Sequence, residues 1–230
     1  MSPTASVYSQ GVVAAKTLVL DVNETLFSLE SLDALFAHWG VPDGRELWFA
    51  RTLRNGFALT CAGTYRTFPN VAGSALTSLA PERLGDEQVR ELYDAFGQLT
   101  PHPEVADALA RARSAGIDMV TLSVGNASNV ERLFERAGMA DLVTRHLSCE
   151  DVRRWKPSPE PYLHACRALD TDPADTWMVA AHAWDLAGAR SVGMKTAWLS
   201  RLEGEFDANF GAPDVSGRDM GEVIDRLVAD

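Results

Sequence analysis

Cysteine is scarce in this 230-residue sequence, and so are basic side chains, long apolar runs and any repeated or low-complexity tract. The three cysteines, Cys61, Cys149 and Cys166, are odd in number and form no Cys-x-x-Cys pair. That argues against a disulfide scaffold or a zinc site and fits a reducing cytosol. No stretch approaches the roughly 20 apolar residues of a membrane-spanning helix. Met1 to Gly11 lack a charged segment leading into an apolar one, so they read as a loose leader and not as a signal peptide. Lysine and arginine number 21 against 32 aspartates and glutamates, a formal charge of −11. Such a surface repels phosphate backbones and anionic lipid, which argues against nucleic-acid and membrane partners. An anionic small molecule would need a local positive group to be held. These bounds describe a cytoplasmic globular protein long enough for one sizeable core and a smaller appended domain.

What is present is organised around Lys16-Thr-Leu-Val-Leu-Asp-Val-Asn-Glu-Thr-Leu-Phe27. Leu18, Val19 and Leu20 form the short apolar run of a buried parallel strand, and Asp21 ends it. A carboxylate there lies in the crevice where open α/β sheets bind ligands, although aspartate also commonly caps a following helix. Leu29, Leu32, Leu35 and Phe36 then recur at helical spacing, predicting a helix to about Trp39. From Asp43 to about Leu99 the pattern stays helical and no segment reads as a buried strand. Beyond Thr100-Pro-His-Pro103, strands are expected over Ile117–Leu122, Leu142–Leu147, Thr176–Ala181 and Lys195–Leu199, with helices between them and a last helix over Met220–Val228. Strands alternating with helices mean βαβ units. The expected fold is therefore α/β, a Rossmann-like doubly wound parallel sheet formed by residues 12–27 and 100–230, with residues 28–99 inserted as a helical cap domain. A cap over the strand ends shields the crevice from water.

Four polar residues fall just after expected strands or in crevice loops: Asp21, Ser123, Lys156 and Asp185. Their order and setting, in Asp21-Val-Asn-Glu-Thr25, Ser123-Val-Gly125, Trp155-Lys-Pro-Ser-Pro159 and Ala183-Trp-Asp-Leu-Ala-Gly-Ala189, resemble the haloacid dehalogenase superfamily of hydrolases. The resemblance covers essentially the whole chain from about Lys16. It implies Asp21 as nucleophile, with Thr25, Ser123, Lys156 and Asp185 as its catalytic companions. The chemistry of the side chains agrees. A carboxylate becomes a usable nucleophile when desolvated and aimed. Lys156, if it reaches Asp21, keeps it ionised, and Asp185 would anchor Lys156 or orient water. Hydroxyls at Thr25 and Ser123 are suited to fixing one carboxylate oxygen or the substrate, and Ser123 is equally suited to a helix N-cap.

Within the superfamily, the metal-dependent phosphatases carry a second aspartate two residues after the nucleophile and a Gly-Asp pair after the strand of the fourth motif. This chain has Asn23, which cannot transfer a proton in that way, and Val179-Ala-Ala-His182. Two alanines and an imidazole are poor ligands for Mg²⁺. The sequence around Ala183-Trp-Asp and Lys156-Pro-Ser-Pro-Glu-Pro-Tyr162 resembles the (S)-2-haloacid dehalogenase branch instead. That branch implies attack on C2 of a small 2-haloalkanoic acid, an ester intermediate and a 2-hydroxy acid product, without metal or cofactor. Homodimers are common in it. The candidate substrate-binding residues are Asn23, Phe49, Arg51, Asn126, Tyr162, His182 and Trp184. Tyr162 is expected to contact Asp21 or the attacking water. Phe49 stands where the branch typically has a cap arginine, with Arg51 or Arg54 as possible substitutes, and Val124 stands where it has a halide-binding asparagine, with Asn126 close by. His182 replaces a small polar asparagine and would act as base or donor near the intermediate, or pack beside Trp184. A superfamily phosphatase with a diverged site and a catalytically silent binding protein remain the alternatives.

Overall fold

A computed structural model describes residues 17–229; Met1 to Lys16, including the expected leader, and Asp230 lie outside the described residues. The central sheet has six strands, all parallel, in the order β3-β2-β1-β4-β5-β6. These are β1 (Thr17–Leu20), β2 (Asp118–Ser123), β3 (Arg145–Ser148), β4 (Thr176–Ala180), β5 (Lys195–Leu199) and β6 (Val215–Gly217). The order reverses direction at β1, so the crevice at its carboxyl end is the switch point where such sheets bind ligands. Five strands match the apolar runs in the sequence. The sixth, Val-Ser-Gly, is too short and too polar to announce itself; it is held at the edge by β5 pairing, with Ala197 opposite Val215.

Side chains along the buried strands divide between two faces, as the period of two requires. Leu18 and Leu20 join a core containing Val105, Leu109 and Ala112 of α5 (Val105–Ser114), Val130, Leu133 and Phe134 of α6 (Ala127–Arg136), and Val223, Ile224 and Leu227 of α9 (Met220–Ala229). Val19, Val120, Leu122 and Met178 point the other way, against Tyr162 and Ala165 of α7 (Pro159–Leu169) and Leu186 and Ala189 of α8 (Ala183–Ser191). Burial on both faces explains why these strands read as continuous apolar runs.

Between β1 and α5 the chain is helical throughout: α1 (Asp33–His38), α2 (Gly44–Cys61), α3 (Phe68–Thr77) and α4 (Asp86–Phe96). The helix expected from Leu29 to Trp39 is instead a 3₁₀ turn over Glu30–Leu32 followed by the short α1. The block packs on loops at the carboxyl ends of the strands. Gly56 of α2 lies so close to the Trp155 indole that a Cβ there would fall 2.3 Å from its ring. The indole Nε1 donates to Arg66 O at 2.9 Å, and Trp155 N donates to Thr60 Oγ1 at 3.0 Å. Trp155 is completely buried and precedes Lys156, so this packing fixes the loop that carries the lysine.

Candidate active site

Asp21 extends the β1 ladder by one bond, its N–H donating to Val179 O at 3.0 Å. The chain then turns tightly. Leu26 and Phe27 donate back to Val22 O at 2.9 and 3.1 Å, and Glu24 adopts a left-handed φ of 63°. The turn brings Thr25 back over Asp21, donating from Oγ1 to Asp21 Oδ2 at 2.5 Å while accepting from Ala181 N at 3.0 Å. Asp21 is thus no helix cap. Its carboxylate is aimed by a hydroxyl that is itself fixed to the loop after β4.

Lys156 lies in the loop between β3 and α7 and has no solvent exposure. Its Nζ donates to Asp21 Oδ1 at 3.0 Å and to Asp185 Oδ2 at 2.9 Å. The other oxygen of Asp185 accepts from Tyr162 OH at 2.5 Å, and the same hydroxyl reaches Asp185 O at 3.0 Å. Gly188 makes room for this contact, since a Cβ there would meet the Tyr162 hydroxyl at 2.5 Å. An ammonium between two carboxylates, with the remaining oxygens hydrogen-bonded, is the arrangement a buried charge needs. Burial alone would raise the Asp21 pKa, but Lys156, His182 and Thr25 outweigh it and hold the carboxyl well below the usual range. Burial would lower the pKa of Lys156, yet Asp185 and Asp21 push it above that of an ordinary lysine. Asp185 is pushed up by burial, against the pull of Lys156 and Tyr162.

Mg²⁺, which the phosphatases of this superfamily use, does not fit these residues. Asp21 and Asp185 each already accept from the Lys156 ammonium, Asn23 is no carboxylate, and Ala180 and Ala181 offer no side-chain oxygen. Among the described residues, no group of three or more His, Cys, Asp or Glu side chains is arranged to hold a metal ion.

The other expected site residues fall into four groups. Asn23, Ser123 and Asn126 line a cavity of about 460 Å³ between the sheet and the helical block, whose side contributes Phe68, Tyr93 and Phe96. Ser123 Oγ accepts from Gly125 N at 2.9 Å and shapes the loop after β2; no bond joins it to Asp21 among the described contacts. The N-cap of α6 is Asn126, not Ser123: its Oδ1 accepts from Ser128 N at 2.9 Å. Phe49, His182 and Trp184 form an aromatic wall, with centroids 6.2 Å apart for Phe49 and His182 and 5.4 Å for His182 and Trp184. Arg51 and Arg54 do not belong to the site. Arg51 donates to Ser78 O at 3.1 Å within the helical block, and Arg54 bonds its neighbour Asn55 at 3.0 Å. Tyr162, expected at Asp21 or the attacking water, donates to Asp185 instead.

Two further charged residues meet at the site: Glu24, which the sequence marks only as part of the turn after Asp21, and Arg45, which it does not mark. Glu24 receives His182 Nε2 at 3.3 Å on one oxygen and Arg45 Nη1 at 3.1 Å on the other, and Arg45 Nε reaches Asp33 Oδ1 at 2.7 Å. The available signal was that Arg45 and Phe49 are four residues apart and so share a face of α2. His182 Nδ1 is buried without a hydrogen-bond partner, 3.8 Å from Asp21 Oδ2. Burial opposes the charged ring, but Asp21 and Glu24 together raise the His182 pKa to about 10 and so favour the imidazolium.

Comparison with known proteins agrees with this geometry. The (S)-2-haloacid dehalogenase of Pseudomonas fluorescens is 27% identical over 217 residues, covering 91% of this chain and 95% of that protein. A solved L-2-haloacid dehalogenase superposes with a TM-score of 0.87 at 28% identity, covering 94% of this chain and 99% of the other. A dehalogenase solved with an intermediate complex gives 0.83 at 25% identity, covering 94% and 98%. The haloacid dehalogenase-like hydrolase family model matches residues 15–193, a span containing Asp21, Ser123, Lys156 and Asp185. Parallel sheet, switch-point aspartate and buried lysine thus coincide with a match over most of the sequence, and the chain belongs to the haloacid dehalogenase-like hydrolases.

Proposed function

We propose that this chain hydrolyses the carbon–halogen bond of a small 2-haloalkanoic acid, with Asp21 as a covalent nucleophile. The observation that carries the reading is the buried Asp21–Lys156–Asp185 chain, with Nζ 3.0 and 2.9 Å from the two carboxylates. It yields an ionised, desolvated and directed carboxylate, which is what displacement at carbon requires. A carboxylate oxygen bonds to C2 as the carbon–halogen bond breaks, and the electron pair leaves with the halide. Water then attacks the ester carbonyl carbon, restoring Asp21 and releasing a 2-hydroxy acid. A halide leaving group needs no general acid, so Asn23 in place of a second aspartate is no obstacle.

The helical block serves as a cap. Asn23, Ser123 and Asn126 on the cavity wall would supply polar contacts for the acid; Phe49 and Trp184, which flank His182 and are not part of that wall, would supply apolar ones. The names of the relatives, (S)-2-haloacid and L-2-haloacid dehalogenases, support the substrate class. The test is halide release from racemic 2-chloropropionate with formation of lactate. We expect turnover by the wild type and none by Asp21→Asn. Background halide release, together with magnesium-dependent hydrolysis of p-nitrophenyl phosphate, would overturn the reading.

A further inference from the structure

We propose that His182, held by Glu24, is the general base that hydrolyses the Asp21 ester, and that the charge on Asp21 switches the imidazole between its two protonation states. The inference rests on the dehalogenase reading above and adds the group that moves the proton.

The geometry is specific. Glu24 is locked on one oxygen by Arg45, which Asp33 holds in turn, leaving the other oxygen for His182 Nε2 at 3.3 Å. This fixes the ring so that Nδ1 is buried and faces Asp21 Oδ2 at 3.8 Å, within ion-pair reach but beyond a direct hydrogen bond. The remaining neighbours are neutral or indirect. Phe49 and Trp184 flank the ring, and Glu203 accepts from Ala183 N at 3.0 Å. Lys156 lies on the other oxygen of Asp21.

In the free enzyme both Asp21 and Glu24 stabilise the imidazolium. Esterification removes the charge of Asp21 and with it one of the two supports for that proton. The proton passes to solvent as the halide leaves. Neutral Nδ1 then accepts a proton from water while the water oxygen bonds to Asp21 Cγ. Collapse breaks the bond from Cγ to the ester oxygen, and the departing alkoxide takes the second water proton. Asp21 is again ionised and His182 again protonated. Over the cycle one water is consumed, and one hydroxy acid, one halide and one proton are released. In this scheme His182 is a catalytic residue and Glu24 a positioning residue.

Quenched single turnovers with 2-chloropropionate, read by intact-protein mass and halide release, test the step. His182→Gln should give a stoichiometric halide burst and accumulate the Asp21 ester, with turnover slowed about 100-fold, the lower end of what general-base catalysis contributes. His182→Asn, a smaller side chain, guards against a folding artefact and should behave alike, with circular dichroism unchanged. Glu24→Gln should shift the pH limb of ester hydrolysis to lower pH, a change that loss of packing alone would not cause. Imidazole titration by nitrogen NMR reads the switch without substrate: the His182 pKa should fall in Asp21→Asn, which mimics the uncharged ester. Wild-type turnover combined with no ester accumulation in either histidine variant overturns the step alone, as does a His182 pKa unmoved by Asp21→Asn. No halide release by the wild type overturns the dehalogenase reading and the step with it.

Discussion

The two sides of Asp21 are made differently. On one side, Lys156, Asp185 and Tyr162 form a closed chain in which both Asp185 oxygens have hydrogen-bond donors. On the other, His182, Glu24 and Arg45 form a second chain of charges that ends at Nδ1, without a hydrogen bond and 3.8 Å from Asp21 Oδ2. In the closed chain Lys156 holds Asp21 and Asp185 together, an arrangement suited to keeping Asp21 ionised and still. The open chain has a site for one more hydrogen bond beside Asp21. On the proposed reading, the contrast separates holding a nucleophile from moving a proton.

Asp21→Asn should break both sides at once and reduce halide release to background, the largest effect on activity. Lys156→Met should come next, because removing one partner leaves buried carboxylates without a counter-charge. A loss of about 3–5 kcal/mol by urea titration is expected, together with near-complete loss of turnover. Gly56→Ala tests whether the helical block positions the lysine loop through Trp155. Its Cβ would sit 2.3 Å from the ring, so overpacking of about 1–3 kcal/mol is expected, with slower turnover as Lys156 shifts.

The two sides should also titrate in opposite directions. The Asp21 pKa is depressed, so its stabilisation is present above its ordinary value of 3.8 and is lost as pH falls through the lower folded value. The His182 pKa is raised, so its contribution is full below 6.5 and is lost as pH climbs towards about 10. Thermal unfolding across that alkaline window should therefore show a decline in the wild type that His182→Gln lacks. Arg51→Ala should do least. It removes one exposed contact to Ser78 O, so stability should change by less than about 0.5 kcal/mol and KM should stay the same.

The same division decides what the sequence disclosed. Asp21, Lys156 and Asp185 stand out in the sequence because the first ends a strand, the second lies in a crevice loop and the third opens the helix after a strand, all at the carboxyl edge of the sheet. The strands were legible because burial on both faces leaves a continuous apolar run, and β6 was missed because three half-polar residues leave none. Arg51 and Arg54 were misplaced because helical spacing says which residues share a face but not which way that face turns. Tyr162 was assigned to the wrong carboxylate because its partner depends on the close approach of α7 and α8 at Gly188. The Glu24–Arg45 bond joins the first loop to α2 across the crevice, and only the tertiary packing brings them together.

The central claim is a covalent bond at Asp21, and isotope transfer tests it most directly. A single turnover of 2-chloropropionate in ¹⁸O water, with enzyme in excess, should place the label in the peptide containing Asp21 and leave the lactate unlabelled at C2. Label in the lactate hydroxyl with none in Asp21 would mean that water attacks the substrate directly, and the account would be wrong.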